Sequence, residues 1–422
     1  MATVSSDLPE HFSNKNTAKE TICGTEFSKE FVVEKLAETH PTFREKLHSS
    51  KIREVTAKDI CGAKGFCSKI YRIVAIFENS NETLEQKISV VMKVFTTDNL
   101  SEWNADEIMM DKVRQLHNIE CAAYNYLGNV PKDVLPLPEV YYTQESDIAA
   151  SNPGIIIMED LTEKACMVPL SKGLSVDQVK NVVGHLAKFH HYLLCGADQS
   201  WRDCFGKSVL EGAFKDCAEV AVIGAAVNCN REVFEEPLKR LRKAVDPMWS
   251  GFYCHKEGTA EDLPELLVHG DLWLNNLMWK RKSDGKHSDD IASIIDWQNL
   301  YKGKMTLDIA RLVVICCDAD VRHALEACIV EHYYEALSRM MQSSGKVMGY
   351  SLEQLKKAYQ YSSLAMTVVM CNESPFYKLS VEGEDTVDES TEDKLERFWK
   401  RVRSVLDDTI QTLELIAPEW LA

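Results

Sequence analysis

The segment from Val268 to Trp279 constrains the fold of this chain more than any other stretch, and it reads Val-His-Gly-Asp-Leu-Trp-Leu-Asn-Asn-Leu-Met-Trp. Apolar runs at both of its ends predict two strands joined by a polar loop. A polar stretch with the turn dipeptide Asp284-Gly285 follows, and the apolar run from Ile291 to Ile295 predicts a returning strand. We therefore expect a strand, a loop and a β-hairpin, with Asp271 and Asp296 at the same end of the hairpin.

Three polar side chains of this region suit the chemistry of phosphoryl transfer, which needs an aligned acceptor hydroxyl and neutralised phosphate charge. Asp271 would accept or orient the proton of the acceptor hydroxyl. Asn276, five positions later, and Asp296 would supply the oxygen ligands that Mg²⁺ prefers, whereas Asn275 lies at the wrong distance. An Asp in a loop more often caps backbone amides, so Asp271 taken alone also fits a structural role.

This pattern resembles the choline-kinase-like and aminoglycoside-phosphotransferase-like branch of the protein-kinase fold, and it is most similar to the ecdysteroid-kinase-like (CHK kinase-like) group of insects and nematodes. The residues that carry the resemblance are His269, Gly270, Asp271, Trp273, Asn276, Asp296 and the run Asp308-Ile309-Ala310. It implies an α+β, bilobal fold with a small β-rich N-terminal lobe and a larger, mainly helical C-terminal lobe. It also implies that Asp271 is the catalytic base, that Asn276 and Asp296 hold the metal, and that ATP and Mg²⁺ are the cofactors. Asp308 would brace the catalytic loop.

The same resemblance implies a glycine-rich turn, a strand lysine and a helix glutamate, in that order. Gly62 and Gly65 precede a β-like run that extends from Lys69 to Phe77. Two glycines let backbone amides approach phosphate oxygens closely, and Ser68 would add a hydroxyl donor. An ordinary hairpin turn explains these residues as well.

Lys93 lies in the apolar run from Val90 to Phe95, where an unpaired ammonium would lose several kcal/mol of solvation. It should therefore meet an anion, either a nucleotide phosphate or a helix carboxylate, unless it points to water from an edge strand. Glu120, on a predicted helix from Leu116 to Leu127, is the preferred carboxylate, and Glu107 is the alternative. A surface position also fits Glu120.

The segment from Gly154 to Leu161 begins as an apolar strand and runs into the acidic residues Glu159 and Asp160. It resembles the segment that links the two lobes of a kinase. Backbone groups near these two residues would bind the purine base, although one more buried strand explains the residues equally well. The predicted organisation is a mobile lead-in over residues 1–26, a nucleotide-binding lobe over 27–152, a hinge over 153–161 and a catalytic and acceptor-binding lobe over 162–422.

Departures from regulated protein kinases point to a small-molecule acceptor. Gly270 replaces the Arg that pairs with a phosphorylated activation loop, and Trp297-Gln298 replaces Phe-Gly. We therefore predict transfer of the γ-phosphate to a hydroxyl of a steroid, a glucoside or a choline-like alcohol. Trp273 and Trp297 would line the acceptor site, or each would pack in the core. The alternative is a catalytically silent nucleotide-binding pseudokinase or scaffold.

Composition narrows the class of protein further. The formal net charge of −17 argues against nucleic acids and anionic membranes as partners, and no obligate protein partner is evident. Fourteen scattered cysteines without metal-ligand spacing, and a polar N-terminus without a secretory leader, predict reduced thiols in a cytoplasmic protein. The sequence contains no P-loop motif, no nucleophile elbow and no zinc-protease helix.

Helical periodicity predicts that the second half of the chain is mainly helical. The predicted helices span Val176–Leu194, Glu232–Val245, Ala319–Met341, Leu352–Met370 and Glu392–Ile416. The acidic, hydroxyl-rich stretch from Ser380 to Glu396 predicts a surface loop or a partly disordered segment.

Overall fold

The computed structural model of this chain describes residues 11–12, 19–60, 68–78, 86–97, 107–196, 198–210, 218–253, 263–384 and 389–422. The chain forms two compact units. The first comprises Met1–Asn129 with Pro138–Glu163, and the second comprises Val130–Leu137 with Lys164–Ala422. The first unit contains the largest sheet and the second is mainly helical, so the predicted α+β class is confirmed.

The first unit is built around a five-stranded antiparallel sheet with the strand order β1-β2-β3-β5-β4. Its elements are α1 (Lys29–Thr39), α2 (Pro41–Ser49), β1 (Ile52–Asp59), β2 (Ser68–Phe77), β3 (Gln86–Phe95), α3 (Glu107–Leu127), β4 (Val140–Gln144) and β5 (Ile155–Glu159). The strand predicted from Gly154 onward is therefore β5, which pairs with β3 on one side and with β4 on the other.

The two faces of this sheet carry different residues because side chains alternate along each strand. Met92 of β3 belongs to an apolar core that α1 and α2 complete, with Phe43 of α2 fully buried. Lys93 and Phe95 point to the opposite face, where they meet Glu120 and His117 of α3. The sheet is thus covered by helices on both faces, which leaves Lys93 inside the unit.

Local capping defines the first two helices. The hydroxyl of Ser28 accepts a hydrogen bond from the backbone N–H of Phe31 and begins α1. Pro41 occupies the first position of α2, where its missing N–H has no helical partner to lose. Before α1, Phe12 and Ile22 are both buried in the core of the sheet.

The second unit combines many helices with two small antiparallel sheets, β7 with β10 and β8 between β6 and β9. Its elements are β6 (Ala165–Cys166), α4 (Val176–Cys195), α5 (Trp201–Cys204), α6 (Ala218–Cys229), α7 (Arg231–Leu241), α8 (Val245–Tyr253), β7 (Glu265–Val268), β8 (Leu277–Arg281), β9 (His287–Ile294), β10 (Tyr301–Lys304), α9 (Leu307–Cys316), α10 (Ala319–Glu326), α11 (Ile329–Ser343), α12 (Leu352–Glu382) and α13 (Thr391–Ile416). All residues of α9 are buried, so this helix is the centre of the unit.

The predicted hairpin is confirmed as β8 and β9. Leu277 pairs with Ile294, and the N–H of Ile295 donates to the carbonyl of Asn276 at 3.0 Å. Gly285 forms the turn in the left-handed region, with a φ of 84°. The residue after β9 and the residue before β8 therefore meet at the same end of the hairpin.

Several predicted helix boundaries are wrong. The helix expected over 319–341 is two helices, because Cys328 has a φ of −146° and interrupts the helical backbone. The helix expected over 232–245 ends at Leu241 and is followed by a 3₁₀ turn. The helix expected to end at Met370 continues through Pro375 to the end of α12.

The predicted loop from Ser380 to Glu396 is correspondingly shorter. Its first residues close α12, and its last residues open α13. The hydroxyl of Ser390 accepts from the N–H of Asp393, and Glu392 and Asp393 place negative charge in the first turn. Acidic and hydroxyl residues stabilise a helix N-terminus, so the composition taken to indicate a loop is that of a helix start.

No helix within the described ranges combines the length and the apolar character that crossing a lipid bilayer requires. Every cysteine within the same ranges is a free thiol.

Arg401 of α13 should be a major source of stability. Its fully buried guanidinium donates to Asp318 at 2.7 Å and to the carbonyls of Leu170 and Ile315 at 3.0 and 3.3 Å. We expect Arg401→Ala to lower the free energy of unfolding by roughly 3–5 kcal/mol, because it leaves buried acceptors unpaired. Urea denaturation measures this loss.

The matched control is Arg403→Ala on the same helix. Arg403 pairs with Asp407 at 3.1 Å, and both side chains are 47% exposed. An exposed pair at this spacing contributes only about 0.3–0.5 kcal/mol. Equal losses in the two variants would contradict the role given to Arg401.

Candidate active site

The loop between β7 and β8 is held by Asp308, which lies in the first turn of α9. Its buried carboxylate accepts hydrogen bonds from the backbone N–H groups of His269 at 2.7 Å and Gly270 at 3.0 Å. Burial raises the pKa of Asp308 to about 6, and the two N–H donors and Arg311 oppose that shift. This is the bracing contact that the kinase-like resemblance implies for Asp308.

Gly270 is required by the shape of the loop. Its φ is 74°, and a Cβ at this position would lie 2.4 Å from the carbonyl oxygen of Asn299 and 2.8 Å from the ring of Tyr301. The side-chain amide of Asn299 also donates to the Gly270 carbonyl at 3.1 Å. An Arg cannot occupy this place, which gives a physical reason for the departure from protein kinases.

His269 connects the loop to the end of β9. Its Nε2 lies 3.0 Å from the carbonyl oxygen of Ile295, and its Nδ1 accepts from the N–H of Asp271 at 3.3 Å. Burial lowers the pKa of His269 to about 4, so the ring is neutral at pH 7 and makes one contact as a donor and one as an acceptor.

Trp297 packs its ring against His269, at a centroid distance of 4.5 Å, and donates its indole N–H to the carbonyl of Ile294. The side chain is only 1% exposed. The prediction that Trp297 lines an acceptor site is therefore wrong, and the alternative of core packing holds for it.

Asp271 and Asn276 meet across the loop. The amide nitrogen of Asn276 donates to the Asp271 carbonyl at 2.8 Å and lies 3.3 Å from Oδ2 of the Asp271 carboxylate. These contacts assign the nitrogen side of the amide to the loop. Oδ1 of Asn276 is then the atom suited to bind a cation.

Asp296 follows β9 in a strained backbone conformation, with φ 65° and ψ 60°. A residue other than glycine seldom adopts the left-handed region, and such strain is commonly found at functional sites. The hydrogen bond between Ile295 and the Asn276 carbonyl brings Asn276 and Asp296 to the same end of the hairpin.

The donor set fits Mg²⁺. The described residues contain no group of three or more His, Cys, Asp and Glu side chains that would enclose a metal by themselves. Mg²⁺ usually takes one or two protein ligands and completes its shell with water and substrate phosphates. Asn276 and Asp296 supply oxygen ligands of this kind.

Sequence reasoning missed three residues at this site: Arg311, Glu373 and Tyr377. Arg311 of α9 is 4% exposed at its side chain, and its Nη2 lies 2.5 Å from Oδ1 of Asp271 and 2.8 Å from Oε2 of Glu373 on α12. Tyr377 donates its hydroxyl proton to Glu373 and packs its ring against Trp273 at 5.3 Å. A lone Arg inside the apolar sequence of α9 was the available signal.

Burial and the neighbouring carboxylates of Glu373 and Asp296 raise the pKa of Asp271, while Arg311 and Asn276 oppose the shift. The direction suits a general base, because a carboxylate with a raised pKa binds a proton more readily at neutral pH. The Asp271 side chain is 26% exposed, so a second molecule can reach it.

Lys93 and Glu120 form a buried ion pair in the first unit, with 2.7 Å between Nζ and Oε2. Their side chains are 10% and 1% exposed. The edge-strand alternative for Lys93 is wrong because β3 lies between β2 and β5. Glu107 is exposed at the start of α3, so Glu120 is the partner.

The remaining predicted nucleotide-binding residues are placed as follows. Gly62 and Gly65 lie outside the described residues. Ser68 is buried and begins β2. The N–H of Glu159 donates to the Glu139 carbonyl at 2.8 Å, and the Asp160 carboxylate accepts from Arg72 and Ser89 at 2.9 and 2.6 Å. The Glu159 N–H and the Asp160 carboxylate are therefore already hydrogen-bonded, and a purine base could be bound only by the other backbone groups of the predicted hinge.

Over residues 41–415 the chain matches the family DUF1679, which carries the description "Uncharacterized oxidoreductase dhs-27". The chain belongs to this family. A relative with that same description, from Caenorhabditis elegans, is 27% identical over 331 residues, which cover 76% of this chain and 39% of the relative. The chain thus spans about two fifths of that relative's length.

A second Caenorhabditis elegans relative of the DUF1679 chain is described as "Uncharacterized kinase-like protein D1044.1". It is 22% identical over 390 residues, which cover 88% of this chain and 99% of the relative. Among solved structures, the GDP complex of an aminoglycoside 2'-phosphotransferase-IIIa mutant is 14% identical, with a TM-score of 0.40 over 82% of this chain and 93% of that chain.

Gly270→Ala tests how tightly the loop between β7 and β8 is packed. Gly285→Ala, in the hairpin turn, is its matched control. Both glycines have positive φ, but no atom lies within 4 Å of a Cβ at Gly285. The control should lose about 1–2 kcal/mol of unfolding free energy from the left-handed backbone alone. Gly270→Ala should lose about 2–5 kcal/mol, because the backbone clash adds to that strain. Equal losses in chemical denaturation would contradict the tight fit at Gly270.

Proposed function

We propose that this chain is an ATP- and Mg²⁺-dependent phosphotransferase that transfers the γ-phosphate to a hydroxyl of a small organic molecule. The proposal rests on one observation: Asn276 and Asp296 lie at the same end of a single hairpin, and the accessible carboxylate of Asp271 lies beside Asn276. The kinase-like description of the relative that aligns over 99% of its own length supports the proposal.

In the proposed reaction the acceptor oxygen attacks the γ-phosphorus, and a new oxygen–phosphorus bond forms. The bond from the γ-phosphorus to the bridging oxygen breaks, and ADP leaves with its electron pair. Asp271 takes the proton of the acceptor hydroxyl and later returns it to water. Mg²⁺, held by Asn276 and Asp296, would neutralise phosphate charge when bound.

Lys93 would bind nucleotide phosphate through an ammonium that Glu120 already orients. Gly62, Gly65 and Ser68 would contribute further phosphate contacts, and the segment at Glu159 and Asp160 would meet the base through its backbone. For the acceptor we propose a steroid, a glucoside or a choline-like alcohol, in keeping with the resemblance to the ecdysteroid-kinase-like group.

The name of the first relative suggests hydride transfer instead, but the residues of this chain do not favour it. A dinucleotide-binding turn of the Gly-x-Gly-x-x-Gly type needs two glycines separated by one residue, and no such pair occurs in the sequence. The chain covers only 39% of that relative, so the description also applies to a much longer protein.

Nucleotide binding is tested by thermal unfolding with and without Mg-ATP. At about a hundred times its dissociation constant, the ligand should add roughly 2.7 kcal/mol to the wild-type chain. Lys93→Met should lose most of this increment, with each variant compared to its own ligand-free sample. Lys87→Met is the control, because Lys87 lies on the same strand and is exposed. If Mg-ATP stabilises Lys93→Met as much as it stabilises the wild-type chain, Lys93 does not take part in nucleotide binding.

Phosphate transfer is tested with γ-labelled ATP and a panel of steroid, glucoside and choline-like alcohols. Asp271→Asn should lower the rate by roughly 10²–10⁴-fold, because the proton acceptor is lost. Asp290→Asn, at an exposed carboxylate of β9, should leave the rate unchanged. Wild-type binding of Mg-ATP with no transfer to any acceptor or to water would favour the scaffold alternative.

A further inference from the structure

We propose that Arg311 and Glu373 are positioning residues that fix the Asp271 carboxylate for transfer, and that α12 sets the shape of the catalytic loop through them. The proposal rests on the proposed function and adds to it the residues that orient the base. Neither residue belongs to the motif that identified the loop.

Arg311 contacts the Asp271 carboxylate directly. Nη2 of Arg311 meets Oδ1 of Asp271 at 2.5 Å, while Oδ2 lies 3.3 Å from the amide nitrogen of Asn276. Each oxygen of the carboxylate therefore has its own neighbour, and the plane of the group is fixed. A general base acts efficiently only when its lone pair is aimed at the proton that it removes.

Glu373 in turn holds the Arg311 guanidinium in place. The same Nη2 atom lies 2.8 Å from Oε2 of Glu373 and 3.4 Å from the Tyr377 hydroxyl, and the Arg311 side chain is 4% exposed. One guanidinium nitrogen thus bridges two carboxylates from different elements. Without Glu373 the buried guanidinium would lose one of its two anionic partners. It would then no longer hold the Asp271 carboxylate in one orientation.

One face of α12 lies along the catalytic loop. Glu373, Tyr377 and Ser380 are spaced by four and three residues and share one face of the helix. Through Arg311, Glu373 reaches Asp271, and the ring of Tyr377 packs against Trp273. The hydroxyl of Ser380 accepts from the Asn275 amide at 3.3 Å. Two alternate positions of the loop, Trp273 and Asn275, therefore contact one face of α12, and a third, Asp271, is linked to the same face through Arg311.

The test uses Mg-ATP with water as the phosphate acceptor, so it needs no knowledge of the natural alcohol. The variants are Glu373→Gln, Arg311→Lys and the double variant, and the control is Glu382→Gln. Glu382 lies on α12, and its exposed carboxylate lies 3.9 Å from the ammonium of Lys378. For each protein, phosphate release gives kcat and KM for ATP, and thermal unfolding gives stability and the increment on adding Mg-ATP.

We expect Glu373→Gln to lower kcat by roughly tenfold and Arg311→Lys by roughly 10–100-fold, with KM for ATP within about twofold of wild type. The lysine side chain is about one atom shorter than that of arginine, so from the same backbone position its ammonium falls short of the place that Nη2 occupies between the two carboxylates. The double variant should be no slower than Arg311→Lys alone, because both changes remove the same arrangement. The control should match wild type in every measurement.

Two results would overturn the proposal while leaving the proposed function intact. One is a kcat for Glu373→Gln equal to that of the control. The other is a loss of kcat that is accompanied by an equal loss of stability and ATP binding, which is the behaviour of a purely structural residue. A wild-type chain that neither gains stability from Mg-ATP nor releases phosphate contradicts the proposed function, and the positioning role falls with it.

Discussion

The candidate site depends on the two hydrogen bonds that the backbone N–H groups of His269 and Gly270 donate to the Asp308 carboxylate. Both amides are buried, and a buried N–H without a partner costs free energy comparable to a lost hydrogen bond. Asp308 lies one helical turn before Arg311 on the fully buried α9. A single rigid helix therefore fixes the backbone of the loop at one point and the Asp271 carboxylate at another.

Two residues with left-handed backbone lie close to the Asp308 contacts, and the one that is not a glycine is strained. Gly270 and Asp296 both have left-handed backbone, one inside the loop and one directly after β9. His269 links the two segments through Ile295, and its neutral ring is enclosed by Trp297. The surrounding packing thus maintains a conformation at Asp296 that an isolated chain would seldom adopt, which is the usual origin of persistent backbone strain.

The sequence predicted those parts of the molecule whose determinants are short-range or periodic. The hairpin followed from short apolar runs and one turn dipeptide. The solvation of a lone ammonium predicted an anion beside Lys93, and the kinase-like resemblance favoured Glu120 over Glu107 as that anion. The same reasoning applied to Arg311 would have demanded an anion, but its partner Glu373 lies 62 positions away and only tertiary packing selects it. The break at Cys328 and the burial of Trp297 likewise depend on neighbours that residue type does not reveal.

The Lys93–Glu120 pair bears on the nucleotide binding that we propose for Lys93. Both side chains belong to the first unit and are enclosed by its own sheet and helix, so the ammonium is dehydrated and aimed when that unit folds. The reorganisation of water and side chains that a charged group normally requires is thereby completed in advance. In the proposed function, a nucleotide phosphate would therefore meet an ammonium whose direction Glu120 has already set, so that little side-chain entropy would be lost on binding.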